Sequence, residues 1–313
     1  MTLPAAACYR KPPAVKEATA LRPRHVVLAV LVAVIWGVSF VATRIGLDAF
    51  SPPQLVTLRF SVAALPALVL PSPALPWSAL IPVGLTLFAG QFIFQFFGIA
   101  HGMPPGLASV VVQTQALFTI VFAALALGER PTARQWLGSA VALSGLALIG
   151  LSVGGELALA GFLLTLVSPV SFAVGNVLLK RLGPADTTSL MAWLSLVPPL
   201  PALALSMALD GPLALPRALT RAPAAGLLSA AFLGLVATVL AYALWGALLR
   251  RYTTATVTPF ALLVPFVGAV SSSLAFGERF GPLRLAGMAL VLAGLAVIVL
   301  APREPSVILS PSS

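Results

Sequence analysis

One stretch of this sequence occurs twice, and the repetition constrains the fold more than any other feature. Residues 125–151 (LALGERPTARQWLGSAVALSGLALIGL) and 274–300 (LAFGERFGPLRLAGMALVLAGLAVIVL) are identical at 13 of 27 positions. Apolar composition alone would align leucines and alanines, but it would not place the two Gly-Glu-Arg triplets at 128–130 and 277–279 opposite each other. The sequence therefore predicts two copies of one structural unit.

Each copy has the pattern of two apolar helices joined by a short charged turn. Gly128 and Gly277 follow apolar runs, where a left-handed residue commonly ends a helix. Pro131 and Pro282 follow the turns, and we place them near the first turn of the next helix, where a missing N–H costs little. The repeat is thus predicted to be a helical hairpin with its charges at the bend.

The composition identifies the compartment in which these helices fold. The chain has 59% hydrophobic and 8% charged residues and a mean hydropathy of +1.05, which is incompatible with a soluble surface. Its eight acidic residues all fall outside or at the ends of the apolar runs, as the cost of a charge in hydrocarbon requires. We therefore predict an all-α, multi-pass integral membrane protein whose surroundings are the lipid bilayer.

At about 20 residues per crossing, the apolar runs divide into ten transmembrane helices, arranged as two five-helix repeats. The predicted helices are residues 26–47, 54–71, 78–100, 104–127, 133–151, 157–179, 188–209, 224–249, 254–276 and 281–301. The predicted domains are a basic tail (1–24), a first repeat (25–151), a second repeat (157–301) and a C-terminal tail (302–313).

The distribution of Lys and Arg predicts the orientation. With the N-terminus in the cytoplasm, twelve of these cations lie on the cytoplasmic side and five on the outer side. We therefore interpret the net charge of +10 as a topology signal and not as a nucleic-acid-binding surface. Because each half has an odd number of crossings, the halves are inverted copies with both termini cytoplasmic. Such repeats are characteristic of secondary transporters, which alternate access by rocking one repeat against the other.

Several chemistries lack their residues in this chain. There is no G-x-x-x-x-G-K-[ST] phosphate loop, no G-x-S-x-G nucleophile turn and no Cys or His cluster, Cys8 being the single cysteine. We therefore expect no enzyme activity, no cofactor and no metal. No Asp or Glu lies in mid-membrane, which disfavours proton coupling through a central carboxylate. Facilitated efflux, or coupling through a group at the membrane surface, stays open.

Uncharged polar and aromatic residues in the middle of the predicted helices are the candidates for a solute site. Gln91 and Gln95 are four residues apart and share a helix face. An amide in lipid is costly, so such faces should point inward, either to bind a polar solute or to form hydrogen bonds between helices. The candidates are Gln91, Gln113 and Gln115, with Trp36, Ser39, Gln95, Asn176, Tyr242 and Trp245.

Prolines and arginines within or beside the apolar runs form a second set of candidates. Pro169, Pro259 and Pro265 remove backbone donors, so we interpret them as hinges, as carbonyl-exposing breaks, or as kinks tolerated by a neighbour. Arg44 and Arg59 are candidates to bind a substrate carboxylate. Both lie near helix ends, and the alternative is that they extend to the membrane interface with Asp48 as a partner.

Small residues mark one further surface of the last helix in each copy. Gly138, Ala142 and Gly145 recur at helical spacing, as do Gly287 and Gly294. Such faces permit close helix contact. The sequence does not decide whether they pack within the chain or between two chains, so both a monomer and a homodimer stay open.

The repeated Gly-Glu-Arg turns, together with the early Trp-Gly-Val-Ser-Phe run at 36–40, resemble the paired EamA domains of the drug/metabolite transporter superfamily over about residues 26–301. Residues 90–130, with Gln-Phe-Ile-Phe, Gly-Met-Pro, Gly-Leu-Ala-Ser and Gln-Thr-Gln-Ala, are similar to the EamA-type exporters of O-acetylserine and cysteine. Gln91, Gln113 and Gln115 match that pattern. Ser39 and Gln95 depart from it, since Asn and an apolar residue are more usual there.

The resemblance implies an inner-membrane exporter of small, amino-acid-like metabolites that works by alternating access. An exporter of aromatic amino acids or drugs is the alternative within transport. A membrane protein without transport activity, such as an intramembrane enzyme or a scaffold, is the alternative from another class.

Overall fold

The computed structural model describes residues 21–154, 157–182 and 186–300. Most of the predicted basic tail, Cys8 and the predicted C-terminal tail (302–313) lie outside the described residues. The described part of the chain is helical, apart from an isolated antiparallel bridge between Gly154 and Leu157.

Every predicted run contains a helix, and we number these helices α1 to α10. Their bounds are α1 Pro23–Leu47, α2 Pro52–Ala63, α3 Trp77–Ala100, α4 Pro105–Leu127, α5 Ala133–Leu151, α6 Leu159–Arg181, α7 Thr187–Leu209, α8 Ala224–Arg251, α9 Thr258–Phe276 and α10 Pro282–Val299. A single turn, Thr254–Val257, precedes α9, and a short helix, Ala214–Arg221, joins α7 to α8.

Within the described ranges, eight helices are long and apolar enough to cross a membrane, namely all but α2 and α5. The prediction for the second helix, residues 54–71, was wrong in length, because α2 ends at Ala63 and a 3₁₀ turn follows at Leu65–Leu68. Pro66 lies in that turn, and its ring and missing N–H prevent continuation of the α-helical ladder. Ten crossings therefore stay a prediction where α2 and α5 are concerned.

The turns of the repeat have the predicted geometry at their first residue. Gly128 and Gly277 end α4 and α9 in the left-handed region, with φ of 68° and 69°. Pro282 is the first residue of α10, as expected, but Pro131 lies outside α5. That helix begins after Thr132, whose hydroxyl accepts a hydrogen bond from the backbone N–H of Gln135. A capping box therefore begins α5, and not a proline at its first position.

The small-residue faces of α5 and α10 pack against each other within the chain. A Cβ atom on Gly145 would lie 2.5 Å from the Gly287 carbonyl oxygen, and one on Gly138 would lie 2.6 Å from that of Gly294. The two backbones are therefore in direct contact, which only glycine permits. This answers the question that the sequence left open about the partner of these faces.

Helices of the two halves also pack in matching pairs. The first helix of the first half, α1, packs against α9, the fourth helix of the second half. Equivalently, the first helix of the second half, α6, packs against α4, the fourth helix of the first half. A salt bridge accompanies the contact between α6 and α4. The Lys180 Nζ atom at the end of α6 lies 3.0 Å from the Glu129 carboxylate, which follows α4.

A polar connection joins α2 to α7 at the end of the bundle where α1 ends. One oxygen of Asp210 accepts hydrogen bonds from the Ser51 hydroxyl (2.5 Å), the Ser206 hydroxyl (2.9 Å) and the Gln54 amide (3.3 Å). Ser51 and Gln54 also form the capping box of α2. A single carboxylate thus ties the start of one helix to the end of another.

We expect Asp210→Ala to lower the free energy of unfolding in detergent by about 1–2 kcal/mol, because three hydrogen bonds to a charged acceptor are lost. Asp48→Ala is the matched control, since this carboxylate pairs with Arg44 at an exposed position, and such pairs contribute about 0–1 kcal/mol. Thermal melts of the purified variants measure the difference. Equal melting temperatures for the two variants would show that the Asp210 connection contributes no more than the surface pair.

Candidate functional site

Arg59 is a buried cation in the interior of the helix bundle. Its side chain is 3% exposed, and its Nε donates a hydrogen bond to the Thr238 hydroxyl at 3.1 Å. The guanidinium carbon lies 3.9 Å from the centre of the Phe92 ring, a geometry typical of a cation–π interaction. The expectation that this arginine extends to the interface was therefore wrong, because its neighbours come from α3 and α8 and enclose it.

The partner of Arg59 belongs to a distorted part of α8. Residues Phe232–Leu240 form a π-helical segment, in which the Thr238 hydroxyl donates to the Leu233 carbonyl five residues earlier (2.8 Å). The Ala237 carbonyl in the same segment accepts a hydrogen bond from the Trp36 indole at 3.1 Å. A wide helical turn thus presents backbone and hydroxyl groups to side chains of α1 and α2.

Aromatic rings form a continuous series next to this arginine. The contacts run from Trp245 to Trp36, then to Tyr242, Phe88, Phe60, Phe92 and Phe96, with ring centres 5.1–6.0 Å apart at each step. Three of the predicted site residues, Trp36, Tyr242 and Trp245, therefore lie in one cluster. Ser39 lies one turn beyond Trp36 on α1, and its hydroxyl donates to the Trp36 carbonyl.

Two of the predicted glutamines have buried side-chain oxygens without a hydrogen bond. The Gln91 and Gln115 Oε1 atoms are inaccessible and find no donor among the described residues. Gln91 directly follows a second π-helical segment, Leu85–Gly90 in α3, and Gln95 one turn later is 3% exposed. Buried polar groups are almost always paired in proteins, and these two oxygens are exceptions, as are the hydroxyls of Ser139, Ser168 and Ser272.

A second group of polar residues lies between α4, α6 and the first turn of α9. The Gln113 amide donates to the Ala261 carbonyl at 3.1 Å, and the Asn176 amide donates to the Thr119 hydroxyl at 3.3 Å. The Thr119 hydroxyl donates in turn to the backbone carbonyl of Gln115. In the described ranges, no hydrogen bond or ring contact joins this group to the Arg59 cluster, so the predicted candidates form two groups.

The family of the chain follows from comparison with known proteins. The model of the EamA-like transporter family matches residues 24–151 and again residues 159–300. The chain belongs to this family. Relatives that the chain matches over most of their length support this membership. The chain also shares its fold with a solved structure that is 22% identical, with a TM-score of 0.61, covering 90% of this chain and 97% of the other.

Three relatives illustrate the similarity. A probable amino-acid metabolite efflux pump of Salmonella typhimurium is 42% identical over 279 residues, which cover 87% of this chain and 93% of that protein. One with the same description from Escherichia coli K12 is 41% identical and is 94% covered, against 87% of this chain. A probable terminal-alkyne amino-acid exporter of Streptantibioticus cattleyicolor is 30% identical, with 86% and 91% covered.

The prolines of this EamA chain have different local effects. Helix α6 continues through Pro169 from Leu159 to Arg181. Pro259 lies in a 3₁₀ segment, Thr258–Leu262, at the start of α9. The Pro265 carbonyl accepts a hydrogen bond from the Ser109 hydroxyl at 3.3 Å. The local break that the sequence indicated is thus present at Pro259, and the hinge function of all three stays a prediction.

Arg44, the other candidate for a carboxylate, lies at the exposed end of α1. Its guanidinium already contacts the Asp48 carboxylate one turn away. Arg59 has no acidic partner among the described residues. The geometry therefore favours Arg59 over Arg44 as the group with an unsatisfied charge.

Sequence reasoning missed the two π-helical segments and, with them, Thr238 and Phe92 as neighbours of Arg59. Pro82, three residues before the segment Leu85–Gly90, is a signal for a distortion in α3, because it interrupts the hydrogen-bond ladder. Inside the segment Phe232–Leu240 no proline marks the position, and Gly234 is its only glycine. A cavity of about 50 Å³ lies beside Thr238 and Tyr242.

Proposed function

We propose that this protein is a secondary transporter that exports small, amino-acid-like metabolites of the cysteine and O-acetylserine type across the inner membrane. The observation that carries the proposal is the pair of buried, unpartnered side-chain oxygens on Gln91 and Gln115. Gln113 holds one wall of the site through the Ala261 carbonyl. The remaining contributors are Trp36, Ser39, Gln95, Asn176, Tyr242 and Trp245.

The physical argument concerns hydrogen-bond donors. Leaving a buried acceptor without a donor costs about 1–3 kcal/mol. No hydrogen bond among the described residues offsets this cost at Gln91 or Gln115. The ammonium group of an amino acid supplies up to three donors, and O-acetylserine and cysteine both have one. A solute bound at either glutamine would therefore satisfy the oxygen that the protein leaves free there.

Architecture supports transport by alternating access. In the proposal, α1–α5 and α6–α10 are two inverted repeats that cross the membrane ten times, with both termini in the cytoplasm. Supporting observations are the double match of the family model and the equivalent pairs α1 with α9 and α6 with α4. The π-helical segments also occupy equivalent helices, the third of each repeat. Broken helices at matching positions are typical of transporter sites.

The names of the relatives support export in particular, since two are probable amino-acid metabolite efflux pumps. Because α5 and α10 bury their glycine faces against each other, we propose a monomer as the transporting unit. The proposal leaves the coupling ion open.

Counterflow in proteoliposomes tests the proposal. Vesicles are loaded with unlabelled cysteine, O-acetylserine or phenylalanine, and uptake of labelled cysteine is followed with and without a proton gradient. We expect exchange with cysteine and O-acetylserine, and a loss of about ten-fold or more in Gln91→Ala and Gln115→Ala, since a hydrogen bond to a charged group is worth about 1.5–3 kcal/mol.

Ser144→Ala is the control variant, because this exposed hydroxyl bonds only to its own helix. Unchanged exchange in both glutamine variants would place the solute elsewhere. The absence of exchange by the wild-type protein for all three solutes would contradict the proposed substrates.

Export of aromatic amino acids or drugs is the second candidate, and the series of rings from Trp245 to Phe96 favours it. Stacking on such rings would add affinity for a flat apolar side chain. In the same assay, exchange by phenylalanine but not by O-acetylserine would select this candidate.

A further inference from the structure

The buried charge of Arg59 is the feature that the solute site leaves unexplained. Arg59 is almost completely buried, with 3% of its surface exposed. No carboxylate among the described residues lies within ion-pair distance of it. Moving an ion out of water costs several kcal/mol unless a counter-charge or hydrogen bonds compensate. One hydrogen bond to Thr238 and contacts with two rings, Phe92 at 3.9 Å and Phe60 at 5.6 Å from the guanidinium carbon, are the compensation that the described residues provide.

Some of the N–H groups of the Arg59 guanidinium are engaged by the protein, and others are not. Its Nε is engaged by the Thr238 hydroxyl, and the Phe92 ring covers one face. The two terminal Nη groups make no hydrogen bond within the described part of the chain. Guanidinium groups present such N–H donors as a planar fork, which matches the two oxygens of a carboxylate.

The helix that supplies Phe92, α3, also has an acceptor for a positive group. Gln91 immediately precedes Phe92, the residue that covers Arg59, and its Oε1 is buried without a partner. Together, the unengaged donors of Arg59 on α2 and the unengaged oxygen of Gln91 on α3 are complementary to a zwitterion, which has a carboxylate at one end and an ammonium group at the other.

We propose that Arg59 binds the carboxylate of the transported solute and that the Gln91 oxygen accepts a hydrogen bond from its ammonium group. This inference rests on the proposed transport of amino-acid-like metabolites, and it adds the chemical requirement for a free carboxylate. Cysteine and O-acetylserine meet the requirement, whereas their methyl esters and amides do not. The solute carboxylate would supply the negative charge that no described residue provides to Arg59.

The first test compares an acid with its ester in the wild-type protein, so it does not depend on any variant. Competition against labelled cysteine is measured for O-acetylserine and O-acetylserine methyl ester on purified protein in nanodiscs. We expect the acid to bind about 30-fold more tightly, as the loss of hydrogen bonds to a charged group predicts. Equal affinities would overturn the inference and leave the proposed transport intact. Binding of neither compound would instead contradict the proposed function.

The second test assigns the preference to Arg59. In Arg59→Gln the ratio of acid to ester affinity should fall to about one, and Arg59→Lys should restore part of it, since lysine keeps the charge but not the fork. Arg217→Gln, a change at an exposed arginine of the helix Ala214–Arg221, should keep the wild-type ratio. A ratio that persists in Arg59→Gln would overturn the assignment.

An inorganic anion is the other source of negative charge for this fork. The competition is therefore repeated in chloride and in chloride-free buffer. Weaker binding of the acid in chloride, with the ester unaffected, is expected for competition at one carboxylate site. Chloride dependence that is identical for acid and ester would show that Arg59 holds a resident anion and does not bind the solute.

Discussion

Replacement of Gly145 by valine should eliminate the folded transporter. A Cβ atom there would lie 2.5 Å from the Gly287 carbonyl oxygen and 2.6 Å from the Val291 amide nitrogen, both backbone atoms of α10. Neither can rotate away as a side chain could, so α5 and α10 would have to separate along their whole contact. Overpacking of a core costs about 1–3 kcal/mol where side chains can adjust, and more is expected where they cannot.

Size-exclusion chromatography in mild detergent and thermal melts measure this effect. Gly281→Ala is the matched control, because a Cβ atom there meets nothing within 4 Å and its φ of −61° suits any residue. We expect the control to elute and melt like the wild-type protein and Gly145→Val to aggregate. A monodisperse Gly145→Val protein that melts within a few degrees of wild type would show that α5 and α10 separate at little cost.

The glycines also show how much of this fold the sequence predicts. Their spacing in the repeat predicted a close helix contact, and Gly128 and Gly277 predicted where two helices end, because each of these features depends on local backbone sterics. The partner of the glycine faces was not predictable. Pairing of α5 with α10 joins residues from opposite halves of the chain, and short-range patterns contain no information about such contacts.

The candidate site divides in the same way. Polar residues in apolar runs identified Gln91, Gln115 and Arg59 as unusual, since an unpaired amide or charge in lipid is costly wherever it occurs. Their environment depended on long-range packing. Arg59 lies near a helix end and so looked free to reach the interface, but the π-helical segment of α8 places Thr238 beside it. Nothing local to α2 indicates a distortion in α8.

The burial of Arg59 without an acidic partner leads to an unusual expectation for stability. Replacement by methionine should raise the melting temperature of the empty protein or leave it unchanged, while removing function. Desolvation of the cation costs several kcal/mol, and the contact with the Phe92 ring returns about 2 kcal/mol, so an apolar side chain of similar length is the more stable occupant. Thr238 loses little, since its hydroxyl still donates to the Leu233 carbonyl.

Two melts for each protein, with and without solute, test this expectation. A bound solute stabilises the wild-type protein by an amount that rises with the logarithm of its concentration, about 2.7 kcal/mol at a hundred times its dissociation constant. In Arg59→Met we expect that shift to disappear, although the empty variant melts no earlier than the empty wild type. Earlier melting of the empty variant would mean that Thr238 and Phe92 compensate the charge fully. Arg59 would then be a structural residue, and the cost that a solute carboxylate is proposed to relieve would not exist.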